Sequence, residues 1–174
     1  YLKKYKLAMK KNLNIFIFQP YPDFGGADRS IIRIINCIND AKFTIVSLKK
    51  CSYGKYINKK VSYLKLNSKR SVLSIFELRK KISKLVKFSK YKKNIFISNQ
   101  HFANVVSILS LKKIKNLKLI LIDRNHLDEL RNYNDFSEFL KNNLLLLLIK
   151  FTYKKADAVV GISKILCKEL SSYI

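Results

Sequence analysis

The sequence predicts an α/β fold: a doubly wound parallel sheet with helices on both faces. Three observations carry that reading. Short apolar runs rich in β-branched and aromatic residues alternate with longer segments whose apolar residues fall at helical spacing. Most runs are continuously apolar, as strands buried on both faces are. Polar residues gather just after the runs, at the strand ends where open parallel sheets hold ligands. The 174 residues, 48% of them hydrophobic, suffice for one domain with a real core and argue against disorder.

Residues 1–12 read as a basic lead-in. Basic residues before an apolar patch resemble a signal peptide superficially, but Pro20 and two glycines stand where a small-residue cleavage site belongs. Because the chain opens on Tyr1, a fragment of a longer product is expected. Ile15-Phe16-Ile17-Phe18 is the first strand, and Pro20 and Pro22 prevent its continuation. Gly25 and Gly26 then permit backbone angles and close approaches denied to other residues. A helix follows, with Ile31, Ile32, Ile34, Ile35 and Ile38 on its apolar side and Cys37 as a small core residue. Strand, glycine turn and helix leave exposed amides suited to an anion. A glycine pair is also ordinary turn chemistry, and neither GxGxxG nor GxxxxGK[ST] is present.

Phe43 to Leu48 is the second strand, followed by a loop over 49–60 and an alternating strand, Val61 to Leu66, placed at the sheet edge. Ser71 to Lys90 is a helix with Ile75, Leu78, Ile82 and Leu85 on one side and Lys80, Lys84 and Lys87 on another. That lysine face is either solvated or rests on anionic head groups. Asn94 to Ser98 is a buried strand ending in Asn99-Gln100-His101, and Phe102 to Leu111 is the next helix. The strand Leu117 to Ile122 ends in Asp123-Arg124-Asn125-His126. The helix from Glu138 to Lys154 contains the run Leu144 to Ile149, whose uniform apolarity predicts burial between neighbours. Ala158 to Ile162 is the last strand, and Ser163 caps a helix from Lys164 to Leu170.

The net charge is +25, and residues 49–93 hold sixteen Lys and Arg against one acid, Glu77. Such a field attracts polyanions, anionic lipid or nucleic acid, although abundant Lys, Ile and Asn also fit simple compositional drift. No apolar stretch reaches the ~20 residues of a membrane-spanning helix. Cys37, Cys51 and Cys167 form no CxxC or Cys/His cluster, so neither a zinc site nor a disulfide framework is expected, and a reducing cytoplasm suits the chain.

Pro20 to Ser30, with Gly25-Gly26-Ala27-Asp28 at its centre, resembles the GGAE-type loop that opens glycosyltransferase family 4 proteins. Ala156-Asp157-Ala158-Val159-Val160-Gly161-Ile162-Ser163 resembles a strand near the end of their N-terminal domain, and Ile122 to His126 fits a strand-end segment between the two. The resemblance spans residues 13–174 and implies the N-terminal, acceptor-side half of a GT-B fold, a Rossmann-like doubly wound sheet. It implies retaining transfer from a nucleotide-sugar donor, bound as substrate, to a glycan or lipid-linked acceptor, with no metal and no tightly bound cofactor. Gly25 and Gly26 would face the donor diphosphate. His126 would hydrogen-bond the transferred sugar or acceptor, or else be a surface loop residue. Asn99, His101, Arg124 and Asn125 would contact the acceptor, with Arg124 either binding an anionic acceptor or pairing with Asp123 or Asp128. Asp28 replaces the commoner Glu of the motif. The donor-binding C-terminal domain carries an E-x7-E motif, and none of Glu77, Glu129, Glu138 and Glu169 lie eight apart, so this half alone is expected to be inactive.

The resemblance implies polysaccharide or lipid-linked glycan synthesis in the cytoplasm, peripheral at the inner face of the plasma membrane. The alternatives are a basic α/β nucleic-acid-binding protein and an inactive truncated remnant. No helix-turn-helix, zinc finger or RNP-type aromatic motif supports nucleic acid as partner.

Overall fold

A computed structural model describes residues 13–174; the basic lead-in over 1–12 lies outside the described residues. Six strands, β1 (Leu13–Phe18), β2 (Ala41–Ser47), β3 (Val61–Lys65), β4 (Lys93–Asn99), β5 (Leu117–Asp123) and β6 (Ala158–Gly161), form one sheet in the order β3-β2-β1-β4-β5-β6. Every neighbouring pair is parallel. This is the Rossmann-like 3-2-1-4-5-6 arrangement, in which the winding reverses between β1 and β4. Ile17 of β1 sits in register with Ile45 on one side and Ile97 on the other. The alternating strand lies at the edge, as its pattern predicts.

Among the described residues five α-helices accompany the sheet: α1 (Gly26–Cys37), α2 (Ile75–Lys87), α3 (His101–Leu111), α4 (Phe136–Thr152) and α5 (Lys164–Tyr173). Side chains alternate across a strand, and the core divides accordingly. Ile31, Ile32 and Ile35 of α1 pack on Ile15, Ile17, Phe43 and Ile45. Leu78, Ile82 and Val86 of α2, with Ala103 and Val106 of α3, pack on Phe16, Phe18, Val46 and Phe96 from the opposite face. Leu145, Leu146 and Ile149 of α4, with Leu166 and Leu170 of α5, close around Val105, Ile108 and Leu121.

Three sequence expectations are corrected. Leu85 is exposed, because the buried stripe of α2 runs Leu78, Ile82, Val86 at four-residue spacing. Cys37, at the last turn of α1, is exposed. The leucine run of α4 is buried on one face only: Leu145, Leu146 and Ile149 are in the core, while Leu144 and Leu147 are 58% and 52% exposed. Uniform apolarity hides periodicity, so the sequence does not show which face meets the core.

Asp157 fastens β6 to β5. Its Oδ2 accepts the Leu119 amide at 2.8 Å, and its own amide donates to the Leu119 carbonyl at 3.0 Å. The Lys118 ammonium donates to Oδ1 at 2.7 Å. Partial burial pushes this carboxyl up, but Lys118 and the Leu119 amide outweigh it and hold it below the usual carboxylate range.

Two stability predictions follow from this packing. Ile17→Ala should cost about 3 kcal/mol in urea denaturation, whereas Ile165→Ala, at a position 71% exposed, should change stability by less than about 0.5 kcal/mol. Asp157→Ala should cost about 1 kcal/mol at pH 7. A carboxyl with a depressed folded pKa contributes stability above its unfolded pKa and loses it as pH falls through the folded value. The gap between parent and Asp157→Ala midpoints should therefore close below about pH 4.

Candidate functional site

At the C-terminal ends of the strands, beside the reversal between β1 and β4, an open hollow of about 620 Å³ is lined by Gln19, Gly25, Gly26, Asp28, Gln100, Arg124 and Asn125 among others. Gln19 follows β1, Gln100 follows β4, and Arg124 and Asn125 follow β5. The topology thus brings together segments far apart in sequence.

The glycine loop is built differently from the sequence expectation. Neither glycine has a positive φ; Phe24, just before them, takes φ 64°. Phe24 is held there by stacking on Tyr56, ring centroids 4.5 Å apart, and by Arg29 above its ring at 5.6 Å. Gly25 is extended at φ −80° and ψ −171°, and Gly26 begins α1. A Cβ at Gly26 would meet nothing within 4 Å, and one at Gly25 would only reach Asp28 Oδ2 at 4.0 Å. The fold itself therefore does not require glycine at Gly26. Its absent side chain leaves the hollow open and the first-turn amides of α1 uncovered, since helices leave those amides without internal partners and no side chain caps them.

Asp28 turns back and accepts the Gly25 amide at 3.0 Å on Oδ2, while its buried Oδ1 has no partner among the described residues. Burial, which outweighs the Gly25 bond, raises its pKa above the usual value. Arg124 faces it from the other wall. Arg124 Nε donates to Asn99 Oδ1 at 2.6 Å and Nη1 to Ser30 Oγ at 3.0 Å. Asn99 Nδ2 in turn donates to Gln19 Oε1 at 3.3 Å. Burial lowers the Arg124 pKa, and the Asp28 charge works against that fall. Arg124 pairs with neither Asp123 nor Asp128; Asp128 is taken by Arg131 at 2.8 Å.

His101 lies beneath the hollow rather than on its wall. It is 7% exposed, with Nδ1 2.8 Å from Asp123 Oδ1, but the approach lacks hydrogen-bond geometry and neither ring nitrogen has a hydrogen-bond partner among the described residues. The same Asp123 oxygen accepts from Asn104 Nδ2 at 2.9 Å and from the Tyr153 hydroxyl at 3.2 Å. Burial and the Asp123 charge raise the Tyr153 pKa, so the phenol stays a donor. Asn99 is also fully buried and reaches the hollow only through its partners Arg124 and Gln19. His126 sits apart, its side chain 45% exposed and Nδ1 2.5 Å from Glu169 Oε2. Glu169 Oε1 accepts the Leu127 amide at 2.8 Å, so α5 clasps the strand-end loop. Asn125 is exposed at the rim, its amide donating to Glu129. Among the described residues no group of His, Cys, Asp and Glu could hold a metal ion.

Sequence reasoning does not single out Asn104, Ser30 or Tyr153 for this region. The available signal is Asn104 itself, a poor helix former early in a largely apolar helix.

No protein-family model matches the sequence, and no curated protein is significantly similar to it. Among solved structures, the chain is similar to the N-terminal domain of a trehalose-6-phosphate phosphatase from Candida albicans, at TM-score 0.52 and 10% identity over 93% of this chain. It also resembles a short chain dehydrogenase family protein from Francisella tularensis subsp. tularensis SCHU S4, at TM-score 0.48 and 10% identity over 92% of this chain. The chain spans 42% of the first protein and 64% of the second. At such identity the likeness concerns the Rossmann-like fold alone.

Thermal denaturation distinguishes the open glycine from the buried polar floor. Gly26→Ala should leave the fold intact and be neutral or up to about 1 kcal/mol stabilising, because alanine favours a helix. Asn104→Leu should cost about 2 kcal/mol, since it strands buried partners on Asp123 and Ser98.

Proposed function

We propose that this domain is the acceptor-side half of a GT-B, family 4-like glycosyltransferase that moves a sugar, with retention, from a nucleotide-sugar donor to a glycan or lipid-linked acceptor. The observation that carries the reading is Gly26: nothing in the fold stands where its Cβ would be, yet its bare amide surface opens on a hollow shared with Arg124. A ligand explains the missing side chain where packing does not.

In this reading the first-turn amides of α1 stabilise charge on the departing diphosphate as the sugar leaves. Arg124, braced by Asn99 and Ser30, presents its remaining nitrogen Nη2 to an anionic group of donor or acceptor. Asn125 contacts acceptor hydroxyls at the rim, and His101 acts from beneath by positioning the Asp123 strand end. His126 offers Nε2 to a sugar hydroxyl, because Glu169 engages Nδ1 and so fixes the ring orientation and tautomer. The second GT-B domain supplies the donor grip and the acidic motif, and the reaction takes place at the cytoplasmic face of the membrane. The sugar, acceptor and linkage are properties of the completed cleft.

Steady-state transfer by the full-length polypeptide tests this. Gly26→Val should lower the rate about a hundredfold, on the order of 3 kcal/mol of lost charge stabilisation, with His126→Ala costing less. A folded Gly26→Val protein transferring at the parental rate removes the glycine loop from the site. Robust transfer by residues 1–174 alone overturns the half-enzyme reading.

A further inference from the structure

Helix α4 has two apolar faces. One enters the core through Leu145, Leu146 and Ile149. The other is bare: Phe136, Leu140, Leu144, Leu147 and Phe151 are 72%, 54%, 58%, 52% and 52% exposed. At 100° per residue these five fall within an arc of about 80°, diametrically opposite the buried set. Lys141 and Lys150 flank the stripe on its two sides.

The stripe continues beyond α4. Leu144 lines an apolar groove with Val72, Ile75, Phe102, Val105 and Leu109, which joins it to the start of α2 across α3. There Val72, Leu73 and Phe76 are 53%, 66% and 85% exposed. So many large apolar side chains on one continuous face mark an interaction surface.

We propose that this face docks on an anionic lipid bilayer. The charge around it selects that occupant. Lys69 and Arg70 precede the α2 end, Lys141 and Lys150 border the stripe, and Lys154 and Lys155 follow it. The acids within these segments are already engaged: Glu77 with Lys81 and the Asn67 amide, Glu138 with the Asn134 amide. The Lys141 and Lys154 ammonium groups lie over the Phe102 and Phe151 rings, 5.5 Å and 5.9 Å from the centroids, so positive charge sits directly against apolar surface. A second copy of the chain would bring lysine against lysine, whereas phosphate head groups complement the rim. Among the described residues no helix is long and apolar enough to cross a membrane, so the face lies in the interfacial plane.

Both α2 and α4 run back between parallel strands, so their first turns lie at the end of the sheet whose rim carries the hollow. Docking would set that rim beside the head groups. Only the link to a lipid-linked acceptor rests on the sugar-transfer reading; exposure and charge carry the docking itself.

Co-sedimentation of the full chain with phosphatidylglycerol–phosphatidylcholine vesicles, against pure phosphatidylcholine vesicles, tests the proposal without donor or acceptor. Binding should be about tenfold or more stronger on the anionic vesicles and fall steeply with salt. The triple variant Leu140→Gln, Leu144→Gln, Leu147→Gln changes exposed positions to a good helix former and should lose about tenfold or more in binding with an unchanged circular dichroism spectrum. Lys141→Glu with Lys150→Glu should weaken binding independently. Equal binding to both vesicles, undiminished binding by the triple variant, or self-association that the triple variant abolishes would each overturn the proposal. Docking by a protein that transfers no sugar leaves this inference standing and sinks the enzymatic one; transfer without docking does the reverse.

Discussion

The position of β1 constrains everything else. It is hydrogen-bonded in parallel on both sides and covered on both faces, so Ile15 to Phe18 are all buried. A strand so enclosed can turn polar only where it leaves the sheet. Its exit lies where the winding reverses, so α1 departs to one face while the crossover after β4 departs to the other. The hollow is the space between those departures. Loops of any composition would leave a gap there; this chain lines its walls with amides, carboxamides, one guanidinium and the carboxyl groups of Asp23 and Asp28.

Beneath the hollow lies a buried polar floor. Asp123 is fully buried and draws Asn104, Tyr153 and His101 around it. An isolated buried carboxylate would be very costly, so the partners are a condition of its presence. In a low dielectric such bonds reinforce each other, giving the end of β5 a fixed direction. Arg124, the next residue, inherits that direction and is then braced by Asn99 and Ser30. The floor therefore matters to the hollow through geometry more than through direct contact.

Much of the architecture is legible in sequence because strands enclosed on both faces write continuous apolar runs. All six strands, the edge position of β3 and the Ser163 cap follow from local pattern, and Ser163 Oγ does accept the Leu166 amide. The convergence of strand-end residues follows from topology once the sheet is parallel. What local pattern does not carry is burial within those clusters. Asn99 and His101 sit beside Gln100 in sequence, yet only Gln100 lines the hollow, because its φ of 82° turns the chain there. The glycine pair misleads in the same way: the residue in left-handed geometry is Phe24, fixed by an aromatic partner more than thirty residues away. Asp157 shows a motif residue whose visible work is structural, tying two strands together.

The bare face of α4 also bears on how molecules of this protein treat one another. Each carries a sticky stripe inside a field of like charge, and the repulsion reaches only as far as salt allows. At 0.1 M ionic strength that reach is about 10 Å, and at 1 M about 3 Å. Concentrated salt, the usual means of stripping nucleic acid from a basic protein, would thus remove the barrier that keeps these stripes apart. Colloidal behaviour should be best at moderate ionic strength, or with a mild amphiphile lying along α4.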